Sequence, residues 1–424
     1  MAVDVAIIGA GVSGLSIAHE LRQNGFAIAV LERQVHAGGN AVSRRFDGFL
    51  MEQGPTTLNG AIPGAMDRIE ALGLGDAAMP LGPNVRRRYL QNERGLQGIS
   101  THPLGFFMSG YLSPADRVSM LCEILRPQKT GEVDESIHQF ASRRFGRGFA
   151  DKVMDPMAAG IFMGDSRAIS VAGAFPKLPE MEARFGSVTR GVLAAKRGSE
   201  PGRNMLSWSG GIGTIPKILA AGLGDSVKTG VTVKNITRNG AGFSLETTAH
   251  ATLKARTVVL AVQPHVAAAL LENLDPESAD AASEIPAPPI GVVFLGYHRS
   301  QVAHPLDGLG YLSSKSAKRV ISGAQFSSTM FDGRAPAGKV AISCYVGGAR
   351  NPEVAQMCEP DLVGLVHREL ADALQITGKP YLSRTHRWPR GLPQYTLGHA
   401  LRSQVLQSSN DRVPGLFIVW AMIF

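Results

Sequence analysis

Residues 3–32 read VDVAIIGAGVSGLSIAHELRQNGFAIAVLE, and their order decides the fold. The mostly apolar run 3–8 reads as a short strand of the kind buried in a parallel sheet. Gly9, Gly11 and Gly14 follow in GxGxxG spacing, then a helical stretch from Leu15 to Asn24 that Gly25 stops. A second strand, 27–31, ends on Glu32. Gly9 permits the tight turn, Gly11 lets a pyrophosphate approach the backbone, and Gly14 lets helix and strand pack closely. Free N–H groups at the helix start attract phosphate. Glu32 is placed to accept hydrogen bonds from ribose hydroxyls, which favours an adenosine without a 2′-phosphate. With 49 glycines among 424 residues, chance supplies roughly 0.6 such spacings, so the glycines alone decide little. The strand before, the helix after and the acid at the end of the second strand make the run a dinucleotide site.

The rest of the composition sets bounds. A chain of 424 residues is long enough for two to three domains with real cores. Hydrophobic residues at 44% and charged residues at 18% exclude a disordered chain and a fibrous repeat. Cys122, Cys344 and Cys358 are far apart and lack ligand spacing, which argues against a disulfide scaffold or a structural zinc site and for a reduced, cytosol-facing compartment. The net charge of +8 is spread along the chain, with short clusters at Arg86–Arg88 and Arg143–Arg144. It fits a solvated basic face, an acidic substrate or an anionic lipid surface; nothing resembles a nucleic-acid module. No apolar run reaches the ~18 residues of a membrane span. The first strand begins almost at Met1, so no signal peptide is expected.

Residues 37–55, AGGNAVSRRFDGFLMEQGP, separate FAD from NAD. Gly38 and Gly39 come directly after the second strand, and an ordinary NAD-binding unit has no need of them. Arg44, the hairpin-like FDGF, and Gly54-Pro55 follow. This run resembles the flavin-containing amine oxidase superfamily, whose members bind FAD in an extended form; Asn40 stands where that superfamily often has a cation. Further along come DPMAAGIFMGDSRAISVAGAFP (155–176), GSVTRG (186–191), SGGIGTIP (209–216), SSTMFDGRAP (327–336), YVGGA (345–349) and WPRGLPQYTLGH (388–399). In order and spacing these resemble the protoporphyrinogen oxidase branch, over essentially the whole chain.

The resemblance implies an α/β fold in three parts. A discontinuous Rossmann-like FAD-binding domain comprises 1–75, 205–270 and 390–424. A mixed-sheet substrate domain comprises 76–91 and 271–389. A helical, membrane-docking domain comprises 92–204. The cofactor implied is FAD, held by Gly9, Gly11, Gly14, Glu32, Gly38, Gly39, Arg44, Gly54, Pro55 and the backbone of Val233. The reaction implied is oxidation of protoporphyrinogen IX in haem biosynthesis by hydride transfer to flavin N5, with oxygen or another acceptor restoring the flavin. No catalytic dyad and no metal are expected. Arg88 matches an arginine that pairs with a substrate propionate, in a register that Arg87 or Arg86 would also satisfy. Phe331 and Leu312 match residues on the two sides of the tetrapyrrole, and Gly160 a backbone position beside it. The apolar stretch around Phe106, Phe107, Met108 and Tyr111 reads equally as core or as a membrane-contacting entrance. The chain is expected on the cytoplasmic face of the inner membrane, as a monomer or homodimer. The competing readings are another flavin amine oxidase or desaturase, and a non-catalytic remnant.

The chain departs from the family at its end. Gly415–Val419 matches a strand that the family continues with Gly-Asn or Gly-Asp, a glycine-rich turn and a helix facing the flavin. Here Trp420–Phe424 follows instead. Its codons read two bases on encode Gly, then Asn, Asp, His or Tyr, so the expectation is a frameshifted, shortened C-terminus with weakened FAD binding.

Overall fold

The computed structural model describes residues 2–100, 103–131, 133–195, 204–249 and 252–419. The tail on which the expected shortening turns, Trp420–Phe424, lies outside them. The first strand, Ala2–Ile8, lies between Ile28–Glu32 and Leu253–Leu260, parallel to both. Val227–Thr229 extends the sheet beyond Ile28–Glu32, and Leu416–Ile418 extends it beyond Leu253–Leu260. The inner strands of this parallel set bury residues on both faces, because successive side chains alternate. Val5, Ile7, Val30 and Val259 point to a core shared with the helices Val12–Gln23 and Thr214–Leu223. Ala6, Ile8, Leu31, Val258 and Leu260 point the other way, to a core closed by Phe243 and Leu245. The strand Leu253–Leu260 does double duty. Its first half pairs antiparallel with Gly242–Thr247, which carries Val233–Asn239 at the edge, while its second half pairs with Leu416–Ile418. Beside the last strand, Val5, Ile17, Leu21, Val259, Phe417 and Val419 line an apolar groove of about 260 Å³.

The second sheet runs Leu382–Trp388, Ile290–His298, Lys339–Gly347, Ile321–Gln325, Gly308–Ser313, Arg87–Asn92, Gly95–Ile99. It is antiparallel except where Arg87–Asn92 runs parallel to Gly308–Ser313. One face is buried against the helix Glu359–Leu374 through Leu362, Val366, Leu370 and Leu374. Residues 103–195 form the third layer, a set of short helices. Glu123 and Arg144, both fully buried, knit it together: Arg144 also reaches Glu182, and Glu123 accepts from Ser187 and from the N–H groups of Val188 and Thr189. Among the described residues, no helix is long and apolar enough to cross a membrane.

Two expected boundaries move. Helix begins at Pro103 rather than 92, because Gly95–Ile99 turns back on Arg87–Asn92 as a hairpin at the edge of the second sheet. The first domain extends past 270, because Ala279, Ala281, Ala282 and Ile285 pack into the same core as Phe243 and Leu260. Burial, rather than position along the chain, assigns the helix Pro276–Ser283 to the dinucleotide-binding part.

Candidate active site

The cradle forms at the C-terminal edge of the parallel sheet. Gly9 has φ +102°, and a Cβ there would lie 2.4 Å from the Ala261 carbonyl oxygen. A Cβ at Gly14 would lie 2.0 Å from the Gly9 oxygen, so no side chain fits at either position. Gly11 is different: a Cβ would meet nothing closer than Gly39 Cα at 3.9 Å. It caps the helix Val12–Gln23 and offers no side-chain partner to the N–H groups of the first turn. Gly38 donates to the Ala10 oxygen at 2.8 Å and bridges to Gly11, bringing the glycine pair against the first turn. The Glu32 carboxylate is buried beside it, accepting from Ala10 N at 2.8 Å and Gln34 N at 2.9 Å. Val231 N donates to the Glu32 backbone carbonyl at 2.8 Å, which brings the edge strand bearing the buried Val233 near the same corner. Gly54 packs on the Asn40 carbonyl, Pro55 is exposed, and Arg44 projects from the strand Ser43–Phe46 into solvent beside His386.

From the glycine pair the chain enters the hairpin Ser43–Phe46/Phe49–Glu52, which leads directly to the second sheet. Phe49 meets Phe294 edge to face at 6.1 Å, and Met51 packs with Val292. Register then defines a row across one face of that sheet: Val292 opposite Tyr345, Tyr345 opposite Gly323, Gly323 opposite Leu312, Leu312 opposite Leu90. Directly opposed residues share a face. The hairpin covers the Val292 end of this row and the helix Asp155–Phe162 covers the Leu312 end. Gly160 meets Leu312 so closely that a Cβ would lie 2.1 Å from Cδ2, and Gly323 adjoins both. Arg88 precedes Leu90 by two residues and so lies on that same face. Its guanidinium is half-buried and forms no hydrogen bond or ion pair among the described residues; burial pushes its pKa down. Arg87 is by contrast exposed and paired with Asp307.

Between cradle and row stands a node that sequence reasoning missed. The buried Glu52 carboxylate accepts from the Ser43 hydroxyl and from Ile212 N at 3.0 Å, and forms an ion pair with Arg334 at 3.5 Å. Burial nonetheless raises its pKa. Arg334 donates to Ser207 Oγ at 2.6 Å and lies 5.3 Å from the ring centre of Phe331, which is itself buried. Burial lowers the Arg334 pKa, and its Nη1 has no partner among the described residues. The signal was present in the sequence, as Glu52 just before Gly54-Pro55 and Arg334 within SSTMFDGRAP. Nothing local joined the two. Tyr345 was likewise quoted within a motif without a role; its hydroxyl bonds Gln325 at 3.0 Å, and burial raises its pKa. Among the described residues, no group of three potential ligands could hold a metal ion.

The sequence model for flavin containing amine oxidoreductases matches residues 12–423. The chain belongs to that family. FAD is therefore its cofactor, and the absence of a side chain at Gly11, where a Cβ would meet nothing closer than 3.9 Å, beside the buried Glu32 fits it. The chain is 30% identical over 447 aligned residues to the chloroplastic protoporphyrinogen oxidase of Nicotiana tabacum, covering 98% of this chain and 81% of that one. It is 24% identical to the coproporphyrinogen III oxidase of Bacillus subtilis (strain 168), covering 98% and 93%. A crystal structure from Exiguobacterium sp. 255-15 superposes with a TM-score of 0.84 at 22% identity, covering 98% of this chain and 93% of that one. That last likeness speaks for the fold.

Proposed function

We propose that this chain oxidises a porphyrinogen to the porphyrin in haem biosynthesis, with protoporphyrinogen IX as substrate. The observation that carries the reading is Arg88. A half-buried guanidinium without a counterion is costly to keep, and a carboxylate on the ligand offsets that cost with two parallel hydrogen bonds. Around it the floor is apolar, formed by Leu90 and Leu312, with Gly160 and Gly323 leaving the room that the Leu312 side chain fills. An apolar disc with acid groups at its rim matches this arrangement. The names of the curated relatives point to the same substrate class.

FAD, when bound, supplies the acceptor for the three two-electron oxidations that the conversion requires, and oxygen or another oxidant must restore it. The residues here bind and orient. Arg88 fixes the ring by a propionate, Leu312 and the Gly160 backbone limit its tilt, and Phe331 lies on the side of the hairpin. The buried Glu52–Arg334 node holds the hairpin between cofactor and ring. No side chain has to pass a proton through a tuned acid–base pair for this chemistry.

The reading extends to location. Val118, Leu121 and Leu125 follow one another at helical spacing with 59%, 62% and 81% exposure, and Met108 is 71% exposed nearby. An exposed apolar stripe on a basic chain suits a peripheral contact with the cytoplasmic face of the inner membrane.

The test is turnover of protoporphyrinogen IX, followed by porphyrin fluorescence on FAD-loaded protein. Arg88→Ala should raise KM about tenfold or more, with Arg88→Lys between it and the parent. Turnover of an amine in place of the porphyrinogen would overturn the reading.

A further inference from the structure

The motif YVGGA at 345–349 runs off the end of the strand Lys339–Gly347. It ends in a turn, Gly347, Gly348, Ala349 and Arg350, that grips the Gly160 helix at both ends. At the C-terminal end, Ala349 N donates to the Met163 oxygen at 2.8 Å. Gly348 has φ +70° and lies so near that a Cβ would come within 2.2 Å of the same oxygen. At the N-terminal end, Arg350 Nη2 pairs with Asp155 Oδ1 at 2.5 Å and donates to the Asp155 carbonyl at 2.8 Å. Arg350 Nη1 reaches the Ser313 carbonyl at 3.3 Å, and Ser313 is the neighbour of Leu312. The Asp155 carboxylate has two further partners: Ser166 Oγ donates to the same Oδ1 at 2.9 Å and Lys315 N donates to Oδ2 at 3.1 Å. Both charged side chains are about nine-tenths buried.

We infer that the Gly347–Arg350 turn is a clamp that holds the helix Asp155–Phe162 against the strand Gly308–Ser313, and so fixes the wall that Gly160 and Leu312 present to the substrate ring. Arg350 and Asp155 are positioning residues that act through Gly160 and Leu312. Where this concerns the substrate, it rests on the porphyrinogen reading.

The geometry makes a coupling test available. In the parent, Gly160→Ala forces a methyl group onto Leu312, because the clamped helix has no room to retreat. Once Arg350 is replaced, the helix is free to move away. Gly160→Ala, Arg350→Met, Arg350→Lys and the double variant Gly160→Ala/Arg350→Met are purified with FAD. Each is measured for KM, kcat, flavin content and hydrogen exchange of the peptide spanning 155–163. Arg350→Met should raise KM about tenfold with flavin content kept, and should speed exchange in that peptide but not in the one spanning 2–32. Arg350→Lys should recover part of both. The double variant should be no worse than the poorer single variant, a clear departure from additivity. Additive losses, unchanged exchange at 155–163, or loss of flavin together with exchange gained throughout the protein would each overturn the clamp. If the parent protein turns over no porphyrinogen, the substrate reading fails, and the exchange and flavin measurements decide the clamp without it.

Discussion

Gly11 and Gly14 sit three residues apart and fail differently when given a side chain. At Gly14 the added methyl group would collide with the Gly9 carbonyl and approach Ala261 Cβ at 3.2 Å, all within packed backbone. Gly14→Ala should therefore lose about 1–3 kcal/mol of stability despite a better helix former, and lose flavin as well. Gly11→Ala has room in the protein but fills the space meant for phosphate. Thermal unfolding of the apoprotein should be nearly unchanged, with FAD affinity, followed by flavin fluorescence quenching, reduced at least tenfold. A drop in apoprotein stability equal to that of Gly14→Ala would contradict this division of roles. Both glycines could be read from the sequence because their duties are local, set by spacing within one strand–turn–helix unit. The Glu52–Arg334 pair could not. Its partners come from distant segments, and each looks like an ordinary charged residue until the hairpin Ser43–Phe46/Phe49–Glu52 lands on the second sheet.

Among the elements, the helix Pro276–Ser283 shows what decides membership. Asp275 caps it through Ser278 N at 3.3 Å and also receives Ser409 Oγ at 2.7 Å and Arg412 Nε at 2.9 Å, tying it to the segment that precedes the last strand. These partners hold the Asp275 carboxyl down to about 2, against the ordinary 3.8. A pKa depressed on folding adds stability that is complete above the unfolded value and is lost as pH falls through the folded one. Asp275→Asn should thus cost about 2 kcal/mol at neutral pH. The difference from the parent should shrink as pH falls from about 4 to about 2, read from denaturant unfolding at several pH values. A constant difference across that window would sink the assignment. The alternation in the first half of Leu253–Leu260 and the apolar run of Ile290–His298 were visible in the sequence itself. Gly95–Ile99 was not, since GLQGI has two glycines and little alternation. Only its pairing with Arg87–Asn92 makes it a strand.

At the scale of the molecule, the exposed stripe Val118, Leu121 and Leu125 belongs to the helical layer that also carries Gly160. If this layer meets lipid, Leu121→Glu/Leu125→Glu should cut sedimentation with anionic vesicles at least fivefold while flavin content and turnover of detergent-dispersed substrate stay within twofold. Equal sedimentation of parent and variant would remove the membrane contact from the proposal. Which segments pack together needed the cores, because the first sheet is assembled from stretches far apart along the chain. That assembly bears on how the protein is made. The strand Leu253–Leu260 lies at the middle of the parallel sheet and awaits a neighbour, Leu416–Ile418, that is synthesised more than a hundred residues later. During translation the edge of Val258–Leu260 stays unpaired until residues 416–418 have left the ribosome, although the meander and the first strand can already have joined. A chaperone that shields sheet edges would find its target here, in the interval between the emergence of residue 260 and that of residue 418.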